Sequence, residues 1–138
     1  MSAASPLVPS SPPRSFLAFD FGTRRLGVAT GNSLTHSASP LTTIAARGDQ
    51  RLAAIEALVG EWRPAALVVG IPVHPDGRPH ENTLRARRFG RQLAARFHLP
   101  VHEVDERYTT TEARSQGRAD LDAGAAAIIL EQYLASLE

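Results

Sequence analysis

Four acidic residues stand where chemistry could be done. Asp20 closes the apolar run Phe16-Leu17-Ala18-Phe19 and precedes Phe21-Gly22. Asp105 and Glu106 close a second run, Val101 to Val104, and Asp122 heads the last stretch of helical apolar spacing. In sheets that alternate with helices, functional groups gather at the carboxyl ends of strands. Carboxylates brought together there, with no lysine near them, repel one another. A divalent cation relieves that repulsion, and hard oxygen donors select Mg²⁺ or Mn²⁺. Two such ions about 4 Å apart can activate a water and stabilise the leaving oxygen of a phosphodiester. The acids therefore point to metal-dependent cleavage of nucleic acid.

Each acid also has a plainer reading. Asp20 before Phe-Gly suits a turn, which aspartate favours. Asp105 or Glu106 can pair with Arg107. Asp122 is a good helix N-cap, and a cap can keep one oxygen for a metal. Asp120, two residues upstream in a polar turn, competes for the same task. Glu103 lies in the body of its strand and is expected to point elsewhere. His74, Asp76, His80 and Glu81 fit no compact metal motif and read as a solvated loop.

The net charge of +1 says little, but all fifteen basic residues are arginine. A biased genome composition would produce this. Even so, every cation is a planar fork suited to phosphate. Arg85, Arg87, Arg88, Arg91 and Arg96 fall within twelve residues. Arg87, Arg88 and Arg91 lie largely off the apolar stripe of their helix and are candidate nucleic-acid contacts, as are Arg24 and Arg107 near the acids.

The elements that must position these groups follow from periodicity. The chain has 138 residues, 43% of them apolar, which suits one domain with one core. The first fifteen residues are rich in Pro and Ser without a continuous apolar stretch. Residues 1–14 are expected to be a disordered tail and not a secretory signal. No apolar run approaches the roughly 20 residues of a membrane helix. Cysteine is absent, which excludes disulfides and thiolate metal sites and fits a cytoplasmic location.

Ser15 to Phe21 reads as a buried strand and Leu26 to Thr30 as its hairpin partner. A short third strand is expected over Leu41 to Ala45. Gly48-Asp49 opens a helix, with Asp49 as N-cap and Leu52, Ile55, Leu58, Val59 and Trp62 at helical spacing. Pro64 follows its end. Ala66 to Ile71 is continuously apolar, as in a strand covered on both faces. Pro72 to Asn82 is a polar loop. Thr83 to His98 is helical, with Ala86, Phe89, Leu93 and Phe97 facing the core. Val101 to Val104 is a fifth strand, and Thr109-Thr110-Thr111-Glu112 resembles a capping box. The last helix starts near Asp122. This order predicts an α/β fold, a mixed sheet with helices on its faces.

The blocks that carry these residues resemble the YqgF/RuvX family of RNase H-like nucleases. They are Ala18-Phe19-Asp20-Phe21-Gly22-Thr23-Arg24-Arg25-Leu26-Gly27-Val28-Ala29, then Val68-Val69-Gly70-Ile71-Pro72 with Asp76-Gly77. Asp105-Glu106-Arg107-Tyr108-Thr109-Thr110-Thr111-Glu112-Ala113 and Asp122 to Leu130 complete the set. The resemblance implies one RNase H-like domain over residues 15–138, built on a five-stranded mixed sheet. It implies that Asp20, Glu106 and Asp122 bind catalytic metals, with Asp105 as a close neighbour. It implies two roles, maturation of the 5′ end of precursor 16S ribosomal RNA and resolution of Holliday junctions. Gly124 and Ala125 within the last helix, Tyr108 where leucine is usual, and the long segment before Ser15 depart from the family pattern without touching a ligand position.

Two rivals remain at this level. Asp-Phe-Gly-Thr also resembles the first phosphate loop of actin-like sugar kinases, which need two such domains and a second phosphate loop. A non-catalytic nucleic-acid-binding module would use the arginines but has no use for three carboxylates beside its ligand. A four-way junction, having two-fold symmetry, would suit a homodimer.

Overall fold

The computed structural model describes residues 14–74, 76–106 and 118–137, the first three residues of the last span by their backbone alone. Five strands form one sheet in the order β3-β2-β1-β4-β5. They are β1 (Ser15–Asp20), β2 (Leu26–Asn32), β3 (Ser37–Ile44), β4 (Ala66–Ile71) and β5 (Val101–Asp105). The helices are α1 (Gly48–Trp62), α2 (Thr83–Phe97) and α3 (Arg118–Ala135).

β1 is central, antiparallel to β2 and parallel to β4. A strand paired on both edges and covered on both faces has nowhere to place a polar side chain. Phe16, Leu17, Ala18 and Phe19 are accordingly all fully buried. Successive side chains of a strand point to opposite faces. Leu17 and Phe19 join Leu26, Val28, Leu67, Val69 and Ile71 on the face covered by α1 and α2, through Ile55, Ala86, Phe89 and Leu93. Phe16 and Ala18 join Ala66 and Val68 on the other face, which α3 covers with Ile129, Leu130 and Leu134. Phe89 fixes α2 under β1, its ring meeting Phe19 edge-on at 5.9 Å and Phe21 at 5.3 Å. Leu17→Ala would open a cavity at the centre of the first layer and is expected to cost about 2–5 kcal/mol. The urea midpoint measures it, and a loss well under about 1 kcal/mol would deny Leu17 its central place.

The main departures from the sequence expectation are at the starts of β3, α1 and α3. β3 begins at Ser37, four residues before the expected start at Leu41. Its first half, Ser-Ala-Ser-Pro, lacks an apolar alternation because it is an edge strand held by backbone pairing to β2. The turn before it is built by Asn32, whose Oδ1 accepts from the amides of Leu34 and Thr35 at 3.0 Å each.

At α1 the N-cap is Arg47, without a side-chain cap, and Asp49 lies in the first turn. Gly48 enters the helix at φ 60°, a conformation that favours glycine. The cap position is thereby moved two residues upstream of Asp49. α3 begins at Arg118, so Asp122 lies inside the helix and does not cap it.

The loop from Pro72 to Asn82 is internally bonded. Val73 bridges to Pro79, and the His74 amide donates to the Arg78 carbonyl at 3.0 Å. The buried Thr83 hydroxyl donates to the Pro72 carbonyl and accepts from the His80 amide. The expected capping box at 109–112 and residues 1–13 of the expected tail lie outside the described residues. Arg14, the last residue of that tail, is tied to Ser33: its amide donates to Ser33 Oγ and its carbonyl accepts from the Ser33 amide, both at 2.8 Å. Among the described residues no helix is long and apolar enough to cross a membrane.

Candidate active site

The sheet register decides where the acids meet. Asp20 is paired with Gly27 on β2 and with Gly70 on β4. Alternation along β1 puts Asp20 on the face of Phe16 and Ala18, the α3 face. The two flanking glycines clear that face. A Cβ on Gly27 would stand 1.9 Å from the Asp122 carbonyl oxygen, so α3 lies directly on β2 at Asp122. A Cβ on Gly70 would stand 2.3 Å from Ile129 Cδ1 and 3.0 Å from Glu106 Oε2, so the Glu106 carboxylate lies over β4. Glu106 is buried at 6% exposure, its amide tied to the Ile71 carbonyl at 3.1 Å. Asp20, Glu106 and Asp122 thus share one face at one end of the sheet, around the row Gly27–Asp20–Gly70.

Asp105 does not join them. It alternates with Val104, which packs on the α3 face. Asp105 therefore falls on the opposite face. There it lines a groove of about 200 Å³ with Glu103 and Arg87. Glu103 itself meets Arg87 Nε at 3.7 Å. The sequence expectation that Glu103 points away from the site is met, but Asp105 shares its side.

Arg25 turns back onto the acidic face. Its Nε lies 2.9 Å from Asp122 Oδ2. That oxygen is shut from solvent and has no aligned hydrogen-bond donor, so the contact is one of charge rather than a directed bond. It offsets one carboxylate where three would repel.

Among the described residues no three His, Asp or Glu side chains converge closely enough to enclose a metal ion. The donor set still fits Mg²⁺ or Mn²⁺ in kind, being oxygen from carboxylates only, gathered over two glycine clearings. His74 and His80 stand ring to ring at 5.3 Å in the loop after β4.

The arginines divide by use. Arg96 holds Glu56 of α1 at 3.1 Å, and Arg85 holds Asn82 at 3.1 Å. Arg24, Arg88 and Arg91 are exposed. Arg88 and Arg91 have no ion-pair partner among the described residues. Arg107 lies outside the described residues, as does the side chain of Asp120. Sequence reasoning missed Gly27, Gly70 and Arg25. A lone glycine inside a strand signals close approach of another backbone, and both glycines carried that signal. Arg25 carried none, since its partner is fixed by the packing of α3.

Residues 14–136 match the family model described as "RuvX: Holliday junction resolvase". A relative from Polaromonas sp., named "Putative pre-16S rRNA nuclease", is 66% identical over 124 residues, covering 90% of each chain. One from Albidiferax ferrireducens with the same name is 62% identical, covering 90% of this chain and 80% of the relative. Among solved structures, Thermus thermophilus RuvC in complex with a Holliday junction substrate superposes with a TM-score of 0.54 at 17% identity. It covers 88% of this chain and 93% of RuvC. Archaeoglobus fulgidus Pelota superposes with a TM-score of 0.51 at 10% identity, over 91% of this chain and 34% of Pelota. The order and pairing of the strands are those of an RNase H-like fold, and the chain belongs to the RuvX family.

Proposed function

We propose that this protein is a metal-dependent endonuclease that hydrolyses phosphodiester bonds in 5′-end processing of precursor 16S ribosomal RNA. The observation that carries the reading is the gathering of Asp20 from the end of β1, Glu106 from just after β5 and Asp122 from α3 onto one face beside Gly27 and Gly70. A protein that merely bound a polyanion would gain nothing from three carboxylates there. Asp20, Glu106 and Asp122 are the residues that would hold Mg²⁺ or Mn²⁺. Metal bound there supplies Lewis acidity and a water activated for attack on phosphorus. Glu106 is favoured over Asp105 as the second acid because it shares the face of Asp20. Arg25, 2.9 Å from Asp122 Oδ2, offsets one of the negative charges gathered on that face.

Nucleic acid would approach over the carboxyl end of the sheet, with Arg24, Arg87, Arg88, Arg91 and Arg107 as phosphate contacts. Such contacts carry charge and position rather than sequence. Replacing Arg88 and Arg91 together with alanine is expected to weaken binding and lower the salt slope by about 1–2. An unchanged slope in a filter-binding series would remove α2 from the interface.

Two observations support a second substrate, a four-way DNA junction: the description of the matching family model and the RuvC-like fold. A junction has two-fold symmetry and would call for a homodimer. Purified protein is therefore assayed with Mg²⁺ and with Mn²⁺ on a precursor 16S leader RNA and on a synthetic junction. Cleavage of the leader at its mature 5′ end is expected. Paired cuts in the junction alone would shift the role to recombination and repair, and no cleavage of either would end the nuclease reading.

A further inference from the structure

At the same end of the sheet, on the opposite face from the acids, lies a cavity of about 400 Å³. Its position follows from register. Asp20 pairs with Gly27 and Leu26 with Ile44, so β1 and β3, with β2 between them, end at the same end of the sheet. The first turn of α1 begins four residues beyond Ile44 and reaches the same rim. Phe21 and Thr23 from the loop after β1, Arg47 and Arg51 from the start of α1, and Gln92 from α2 line the cavity.

Arg51 is the unusual feature. It is 94% buried by its 6% exposure, a rare state for arginine. Its Nε donates to the Ala46 carbonyl at 2.8 Å, and its guanidinium lies over the Phe21 ring at 5.7 Å. Those contacts explain its backbone-tethering role but leave Nη2 buried with no hydrogen-bond partner. Arginine stays charged in proteins, so an unanswered buried guanidinium N–H is costly. Burial, and after it the like charge of Arg47, push this guanidinium below its ordinary value. An anion would relieve both costs.

The helix end beside it is open as well. α1 runs fifteen residues, and its N-cap, Arg47, makes no side-chain cap. The first-turn amides of such a helix are donors without acceptors, and they sit at the positive end of its dipole. Thr23 and Gln92 add neutral donors to the wall. Among the described residues Asp49 is the only carboxylate on it, and it opposes an anion. Two guanidiniums and a helix N-terminus outweigh it.

We propose that this cavity is a phosphate-binding subsite that takes one phosphodiester of the nucleic-acid strand, away from the bond that is cut. The inference rests on the nucleic-acid reading above and adds to it a grip on the opposite face of the sheet. The strand would cross the rim at the end of β1, with Asp20 on one side and Phe21 and Thr23 on the other.

The test uses the whole chain in EDTA, so that binding is read without cleavage. Backbone amides and arginine Nε–H signals are followed by NMR, first with inorganic phosphate and then with a short single-stranded RNA. Saturable shifts at Gly48, Asp49 and Arg51 are expected with both. Arg47→Ala, at an exposed position, is expected to weaken RNA binding about tenfold with the thermal midpoint unchanged. Asp49→Asn is expected to tighten it. Arg51→Met, which keeps the aliphatic contact, is expected to abolish the phosphate shifts. If that variant fails to fold, Arg47→Ala and Asp49→Asn still decide. Shifts with phosphate but none with RNA would overturn the strand assignment, and no shifts with either would overturn the site. A protein that cuts RNA yet shows no such shifts would sink this inference alone. One that shows them yet never cuts would sink the nuclease reading alone.

Discussion

Asp20→Asn should leave a folded protein that no longer cuts. The side chain sits at the end of β1, only partly buried, and the amide is nearly the same size, so β1 pairing and the thermal midpoint should be kept. What is lost is the negative charge that helps to hold the cation. Metal-assisted charge stabilisation amounts to several kcal/mol, and each 1.36 kcal/mol is tenfold in rate, so a loss of about a thousandfold or more is expected. Single-turnover cleavage of leader RNA in Mg²⁺ measures it. RNA binding in EDTA should be unchanged or slightly tighter, since one repulsive charge is gone. A variant that cuts within about tenfold of wild type would place the chemistry elsewhere.

The second large effect needs no charge change. Gly27→Ala adds a methyl group 1.9 Å from the Asp122 carbonyl oxygen, and its other near atoms are also backbone. No side chain can rotate away. Either α3 lifts from β2 or the strand shifts. Overpacking of this kind costs about 1–3 kcal/mol and occasionally more. The variant should both unfold at lower urea and lose most of its cleavage, because Asp122 moves with α3. Gly70→Ala is the control. Its first clash is with the tip of Ile129, which can turn, so its stability loss should be smaller. Equal losses from the two changes would deny that α3 is seated through the Asp122 backbone.

Much of the architecture was legible because β1, β4 and α2 announce themselves by periodicity. β4 is buried over all six residues and reads as one apolar run. β3 was half hidden, since an edge strand held by backbone bonds needs no apolar pattern. The start of α3 was misplaced because a short polar opening looks the same inside a helix as before one. At the site, the identity of the acids was legible and their geometry was not. Asp105 and Glu106 are adjacent, and only the side of the sheet that α3 covers decides which of them faces Asp20. That choice is made by packing distant in sequence. Arg51 was hidden for a related reason. It sits on a helix whose apolar spacing is regular, and nothing local says that a charged residue there is buried.

The central sheet separates what α3 carries from what α1 and α2 carry. The carboxylates depend on one layer of helix, whereas the guanidiniums that would hold a polyanion belong largely to the other. Substitutions in the α1–α2 layer should therefore change KM and leave kcat nearly as it was, and those beside α3 should do the reverse. Substrate preference could drift across related chains through one layer alone, without the hydrolytic step ever being put at risk.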